Sequence, residues 1–173
     1  MVGGHMAESL IQWFTDTLGG VVSKEILVFI ISMVPILELR GGLIAARLFG
    51  IPYLKALGLC MTGNLIPVPF ILLLITPFFR WFKKTKLLRG IVEKLEKRAM
   101  GKSDRVAKMQ FWGLVLFVGI PLPGTGAWTG GLIASLLGIP FKKALPAVII
   151  GVFLAAAIMS IVTYVIPWLI AML

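Results

Sequence analysis

Two stretches of this chain carry no charge over a length that can cross hydrocarbon: Leu57–Phe79 and Ala144–Leu173. A helix needs roughly 20 apolar residues to span a bilayer core. Inside that core the backbone must satisfy its own hydrogen bonds, which leaves helices or closed barrels. The chain has 173 residues, 59% hydrophobic and only 14% charged, where a soluble domain carries about a quarter charged. The reading is an all-α integral membrane protein with one compact membrane domain over residues 7–173. A soluble catalytic domain has no place in it.

The charge that remains is clustered. Of a net +10, most comes from Arg80, Lys83, Lys84, Lys86, Arg89, Lys94, Lys97, Arg98, Lys102, Arg105 and Lys108, opposed there only by Glu93, Glu96 and Asp104. Basic loops between apolar spans face the cytoplasm, so the balance points to a membrane surface and away from nucleic acid. Lys86–Met100 sets Leu87, Leu88, Ile91, Val92, Leu95 and Ala99 against Lys and Arg at helical spacing. That is the pattern of an amphipathic helix lying on anionic lipid. Ser9–Leu18 carries a shorter stripe of Leu10, Trp13, Phe14 and Thr17. Residues 1–6 read as a cloning remnant ahead of a start at Met6, which removes His5, the single histidine, from functional argument. Cys60 is the single cysteine, so no intrachain disulfide or thiolate cluster is available.

The strongest internal signal is a repeat. Gly41-Gly-Leu-Ile-Ala-Ala-Arg-Leu-Phe-Gly-Ile-Pro-Tyr-Leu-Lys-Ala-Leu57 returns as Gly130-Gly-Leu-Ile-Ala-Ser-Leu-Leu-Gly-Ile-Pro-Phe-Lys-Lys-Ala-Leu145 with one gap, opposite Arg47. The Gly, Pro and Lys positions recur together, which points to duplication. Each copy follows an apolar stretch that stops at a break: Ile26–Leu37 runs into Glu38-Leu-Arg-Gly-Gly42, and Phe111–Ile120 into Pro121-Leu-Pro-Gly-Thr-Gly126. Each copy precedes a long apolar span.

The pieces flanking each break are too short to cross alone. A discontinuous crossing over 109–139 would leave Lys142 and Lys143 outside, whereas a re-entrant hairpin returns them to the cytoplasm, as the positive-inside rule prefers. The expected fold is an inverted repeat, each half a re-entrant helical hairpin plus a full transmembrane helix, with amphipathic interfacial helices. The divisions are 7–20 interfacial helix, 21–82 first repeat, 83–108 basic cytoplasmic linker and 109–173 second repeat. Two opposed hairpin tips would bury each other's irregular backbone near the midplane. Few spans shielding two hairpins favours a homodimer.

Candidate site residues gather at the breaks. Glu38 and Arg40 are charges inside an apolar region, where an unpaired charge costs roughly 2.5–3.5 kcal/mol on insertion scales. Glu38 is suited to carry a proton or bind a cation, and Arg40 to bind an anionic head group. They could equally pair with each other or with backbone. Pro123, Gly124, Thr125 and Gly126 form the second break; a helix starting near Ala127 would offer backbone N–H groups to an anion, with a hydroxyl from Thr125, or the break could be a turn without a ligand. Trp128 adjoins it. Asn64, ahead of Pro67 and Pro69, either satisfies a freed carbonyl or lines a cavity. Arg47, unmatched in the repeat, suits the outer interface. No catalytic constellation is visible, so the chain reads as no enzyme, without cofactor or metal.

At Glu38-Leu-Arg-Gly-Gly42 and Pro121-Leu-Pro-Gly-Thr-Gly-Ala-Trp-Thr-Gly130 the chain resembles the small multidrug export proteins, from about Ile26 to Ile166. That family resembles, distantly, the DedA proteins (the VTT membrane superfamily). The likeness implies paired re-entrant hairpins in a prokaryotic inner-membrane transporter for lipid-like molecules, often proton-coupled. The basic residues typical of a DedA second hairpin are missing from Pro121–Gly131. Two functions are carried forward. One is a secondary exporter moving a small amphiphilic or lipid-phosphate substrate through a midplane site, with membrane lipid and protons as partners. The other is a non-transporting scaffold. At the breaks the first half offers charge and the second offers backbone.

Overall fold

The computed structural model describes residues 9, 12, 13, 16, 22–82 and 104–172. Their regular structure is helical, with no strand among them. The expected amphipathic helix over 86–100 lies outside the described residues, as does most of 7–20.

The first helix, α1 (Lys24–Met33), is capped by the Ser23 side chain, which accepts from the Ile26 amide. Pro35 ends it, because the residue before a proline is pushed out of the helical region; Val34 is extended at φ −73°, ψ 132°. Helix α2 (Glu38–Leu48) follows after the four residues 34–37, then α3 (Tyr53–Leu65) and α4 (Pro67–Phe82). Pro67 at the start of α4 has no amide to donate, so the rod is interrupted at Ile66. The second half gives α5 (Asp104–Gly119), α6 (Ala127–Leu136) and α7 (Phe141–Ser160), continued by a π-helical turn, π1 (Ile161–Val165), and α8 (Ile166–Ala171).

Two helical rods, Tyr53–Leu74 and Phe141–Ala171, are long and apolar enough to cross a membrane. Helices α1, α2 and α6, of 10, 11 and 10 residues, reach only about 15 Å at 1.5 Å per residue. The rods keep a broad apolar face outward, with Phe70, Leu73, Leu74, Phe153, Val162 and Ile170 all exposed. In water such a face would be an aggregation surface; in a bilayer it is the lipid contact.

The two copies of the repeat fold alike. At the end of α2 the Ile51 amide reaches the Ala46 carbonyl and the Gly50 amide reaches Arg47; at the end of α6 Ile139 reaches Ala134 and Gly138 reaches Ser135. These are two Schellman caps with glycine in the left-handed position, at φ 71° and 66°. Pro52 and Pro140 then start α3 and α7 in matching extended geometry.

Packing repeats as well. A methyl on Gly63 would meet the Phe29 carbonyl and Ser32, and a methyl on Gly151 would meet the Val115 carbonyl and Val118. Gly42 likewise abuts Ser32, and Gly130 abuts Val118. Ser32 therefore corresponds to Val118 and Gly42 to Gly130. The caps place Arg47 opposite Ser135, so no gap falls at Arg47. The lengths differ ahead of α2, with 10 positions from Ser32 to Gly42 against 12 from Val118 to Gly130, so the second half is longer by 2 residues at its break. α1 packs on α2 and α3, α5 on α6 and α7, α6 on α4, and α2 on α7 and π1.

Candidate functional site

The turn between α5 and α6 is set by local chemistry. The Leu122 carbonyl accepts from the Thr125 amide at 3.2 Å, with Pro123 and Gly124 between and Gly124 at φ 80°. Proline followed by positive-φ glycine is the type II turn pattern. This turn leaves two sets of backbone groups without helical partners: the last carbonyls of α5 and the first amides of α6.

The first half supplies both partners. Glu38 Oε2 accepts from the Ala127 amide and Oε1 from the Trp128 amide, each at 3.0 Å. The carboxylate thus caps α6 at its positive end, with the dipole and the hydrogen bonds acting together. Gly126 lies so close to it that a Cβ would collide with the carboxylate oxygens.

Arg40 serves the opposite end. Its Nη1 donates to the Leu122 carbonyl at 2.6 Å, and its Nη2 to Thr125 Oγ1 at 2.9 Å, Ile120 at 3.2 Å and Val118 at 3.5 Å. A guanidinium fork suits several acceptors in one plane, and a cation suits the negative end of α5. Thr125 Oγ1 also accepts from the Leu122 amide at 3.2 Å and lies within donating distance of the Ile120 and Leu122 carbonyls. A third link runs the other way: the Trp128 indole N–H donates to the Met33 carbonyl, at the end of α1, at 3.0 Å.

Glu38 and Arg40 thus form no ion pair with each other among the described residues; each engages the opposite break. Thr125, Gly126 and Trp128 join them there, while Pro123 and Gly124 shape the turn. The α6 amides expected to offer themselves to an anion are occupied by the chain's own carboxylate. Asn64 takes no part in this network: it is 2% exposed in α3, and its Oδ1 has no hydrogen-bond partner among the described residues. Arg47 is exposed, its guanidinium 5.9 Å from the Tyr164 ring centre. Sequence reasoning missed the Met33, Val118, Ile120 and Leu122 carbonyls. Backbone acceptors leave no letter in a sequence beyond the prolines that free them.

A family model described as a small multi-drug export protein matches residues 38–158. The chain belongs to that family. The match begins at Glu38 itself and takes in Arg40 and the whole second break. No curated protein and no solved structure matches the chain. The family and the two apolar rods together indicate a membrane protein.

Proposed function

We propose that this chain is a small secondary exporter of the inner membrane, in which Glu38 and Arg40 latch together two halves that must part for a substrate to pass. The observation that carries the reading is Glu38: a carboxylate 5% exposed, with both oxygens committed to the first amides of α6. Protonation removes its charge and turns one oxygen into a donor facing an N–H, so a proton weakens the latch on this side. Coupling follows, because the state that holds the halves apart is the protonated one. Short arms meeting at their tips and packing on each other's rods are consistent with inverted re-entrant hairpins, the arrangement the DedA likeness implies, with the basic linker cytoplasmic. A homodimer would cover the outer sides of the arms. The substrate class is a small amphiphilic or lipid-like molecule sliding between the parted tips.

The satisfied state of both charges favours a second reading, a static scaffold. Proteoliposomes separate them. Under an imposed pH gradient the wild-type chain moves ethidium or a fluorescent phosphate lipid, and Glu38→Gln lowers that rate at least ~10-fold while remaining folded. A wild-type chain that moves neither probe supports the scaffold.

A further inference from the structure

The duplication supplies an internal control for the helix crossing in each half. In the first half, α3 buries Ala56, Cys60, Gly63 and Asn64. Counting from the paired glycines Gly63 and Gly151, the matching residues of α7 are Ala144, Val148, Gly151 and Val152, all buried as well. Across the crossing Ser32 faces Gly63 where Val118 faces Gly151. The same packing is thus built with three valines in one half and with Ser, Cys and Asn in the other, so the fold does not need the polar set.

Nor is the polar set satisfied. Ser32 Oγ returns its proton to the Val28 carbonyl at 2.8 Å, but Asn64 Oδ1 is buried without a partner among the described residues, and so is the hydroxyl oxygen of Tyr164. Buried polar atoms in folded proteins are nearly always paired with protein or ordered water. Tyr164 lies in π1, and π-turns concentrate at functional sites. Its ring meets Tyr53 edge-on at 5.0 Å, and Arg47 stands 5.9 Å from the ring centre. Along α3, Tyr53, Cys60 and Asn64 fall at intervals of seven and four residues, which is one helical face. Polar groups therefore run from exposed Arg47 past Tyr164 to Tyr53 and on along the Cys60 and Asn64 face of α3, ending just before the interruption at Ile66.

We infer that water enters the first half along this line and reaches Asn64, while the matching crossing of the second half is dry. The charge of Arg47 opposes a cation. An anion has no proton to give the orphaned acceptor Oδ1. Water is the smallest neutral donor that fits both conditions, and it can also serve the Tyr164 hydroxyl. This path does not depend on the transport reading, and its test measures access, not transport.

Cys60, the single cysteine, is the reporter. The full chain in phosphatidylcholine–phosphatidylglycerol vesicles is treated with 2-hydroxyethyl methanethiosulfonate, a small, neutral, water-soluble thiol reagent that the charge of Arg47 does not repel. Cys60 is expected to react in the folded protein. Val148→Cys in a Cys60→Ala chain, the matching position, should react at least ~10-fold more slowly, and so should Cys60 in an Asn64→Val chain. Val152 shows that valine packs at this position, and thermal unfolding checks that the variant folds. Asn64→Ser, which keeps a polar group, should retain the reaction. Labelling of Cys60 only after unfolding in dodecyl sulfate, a Val148→Cys thiol that reacts as fast as Cys60, or no slowing by Asn64→Val would each overturn the inference.

Discussion

Glu38 is held in a left-handed backbone conformation, φ 49°, two residues after Ile36 at φ 83°. The Leu37 amide reaches back to the Pro35 carbonyl at 3.0 Å, a γ-turn whose positive-φ centre is the strained form. A β-branched residue there is an outlier costing of order 1–3 kcal/mol. Ile36 is 72% exposed, so little packing offsets it. Ile36→Gly should therefore raise stability by about 1 kcal/mol after the entropy cost of glycine, read as a higher unfolding temperature in detergent; a fall would show that the turn is not strained. At the second tip two glycines separate conformation from contact. Gly124→Ala meets open space and should cost about 1–2 kcal/mol for its positive φ alone. Gly126→Ala also drives a methyl into the Glu38 carboxylate, and should cost about 3 kcal/mol or more as charge-assisted hydrogen bonds are lost. Equal effects would mean that Glu38 does not occupy the site described.

Among the elements, the most legible was the Gly-Ile-Pro punctuation of the repeat. Glycine is the residue for a left-handed helix end and proline for the following start, so the letters carried the backbone directly. The matching caps make a matching prediction: Gly50→Ala and Gly138→Ala, both in open space, should each cost about 1–2 kcal/mol, and thermal unfolding should rank them together. The register inside the repeat was less legible. Matching letters aligned Gly41-Gly42 with Gly130-Gly131, whereas packing aligns Gly42 with Gly130. A shift of one residue between the letter match and the packing match turns the helix face by about 100°, and adjacent small residues exchange roles without changing the letters. The interruption at Ile66 was foreshadowed by Pro67.

For the whole molecule, the two breaks fit as complements. The charges Glu38 and Arg40 were legible as anomalies in an apolar stretch, and Pro121–Gly126 as a place where backbone groups come free. Their pairing across 82 and 89 positions was not, because no local spacing encodes which helix end a distant charge will cap. Among the described residues three side chains link the breaks, Glu38, Arg40 and Trp128, and the indole of Trp128 carries no charge to change while the guanidinium of Arg40 keeps its own. Of the three, Glu38 is the side chain that can lose its charge, so under the proposed reading a proton is the signal that would open the latch. The decisive measurement is internal pH, read by trapped pyranine, as a preset ethidium gradient runs down across proteoliposomes. The account predicts proton counterflow that accompanies ethidium in the wild type and is absent in Glu38→Gln. Proton movement at the wild-type rate in Glu38→Gln would contradict it.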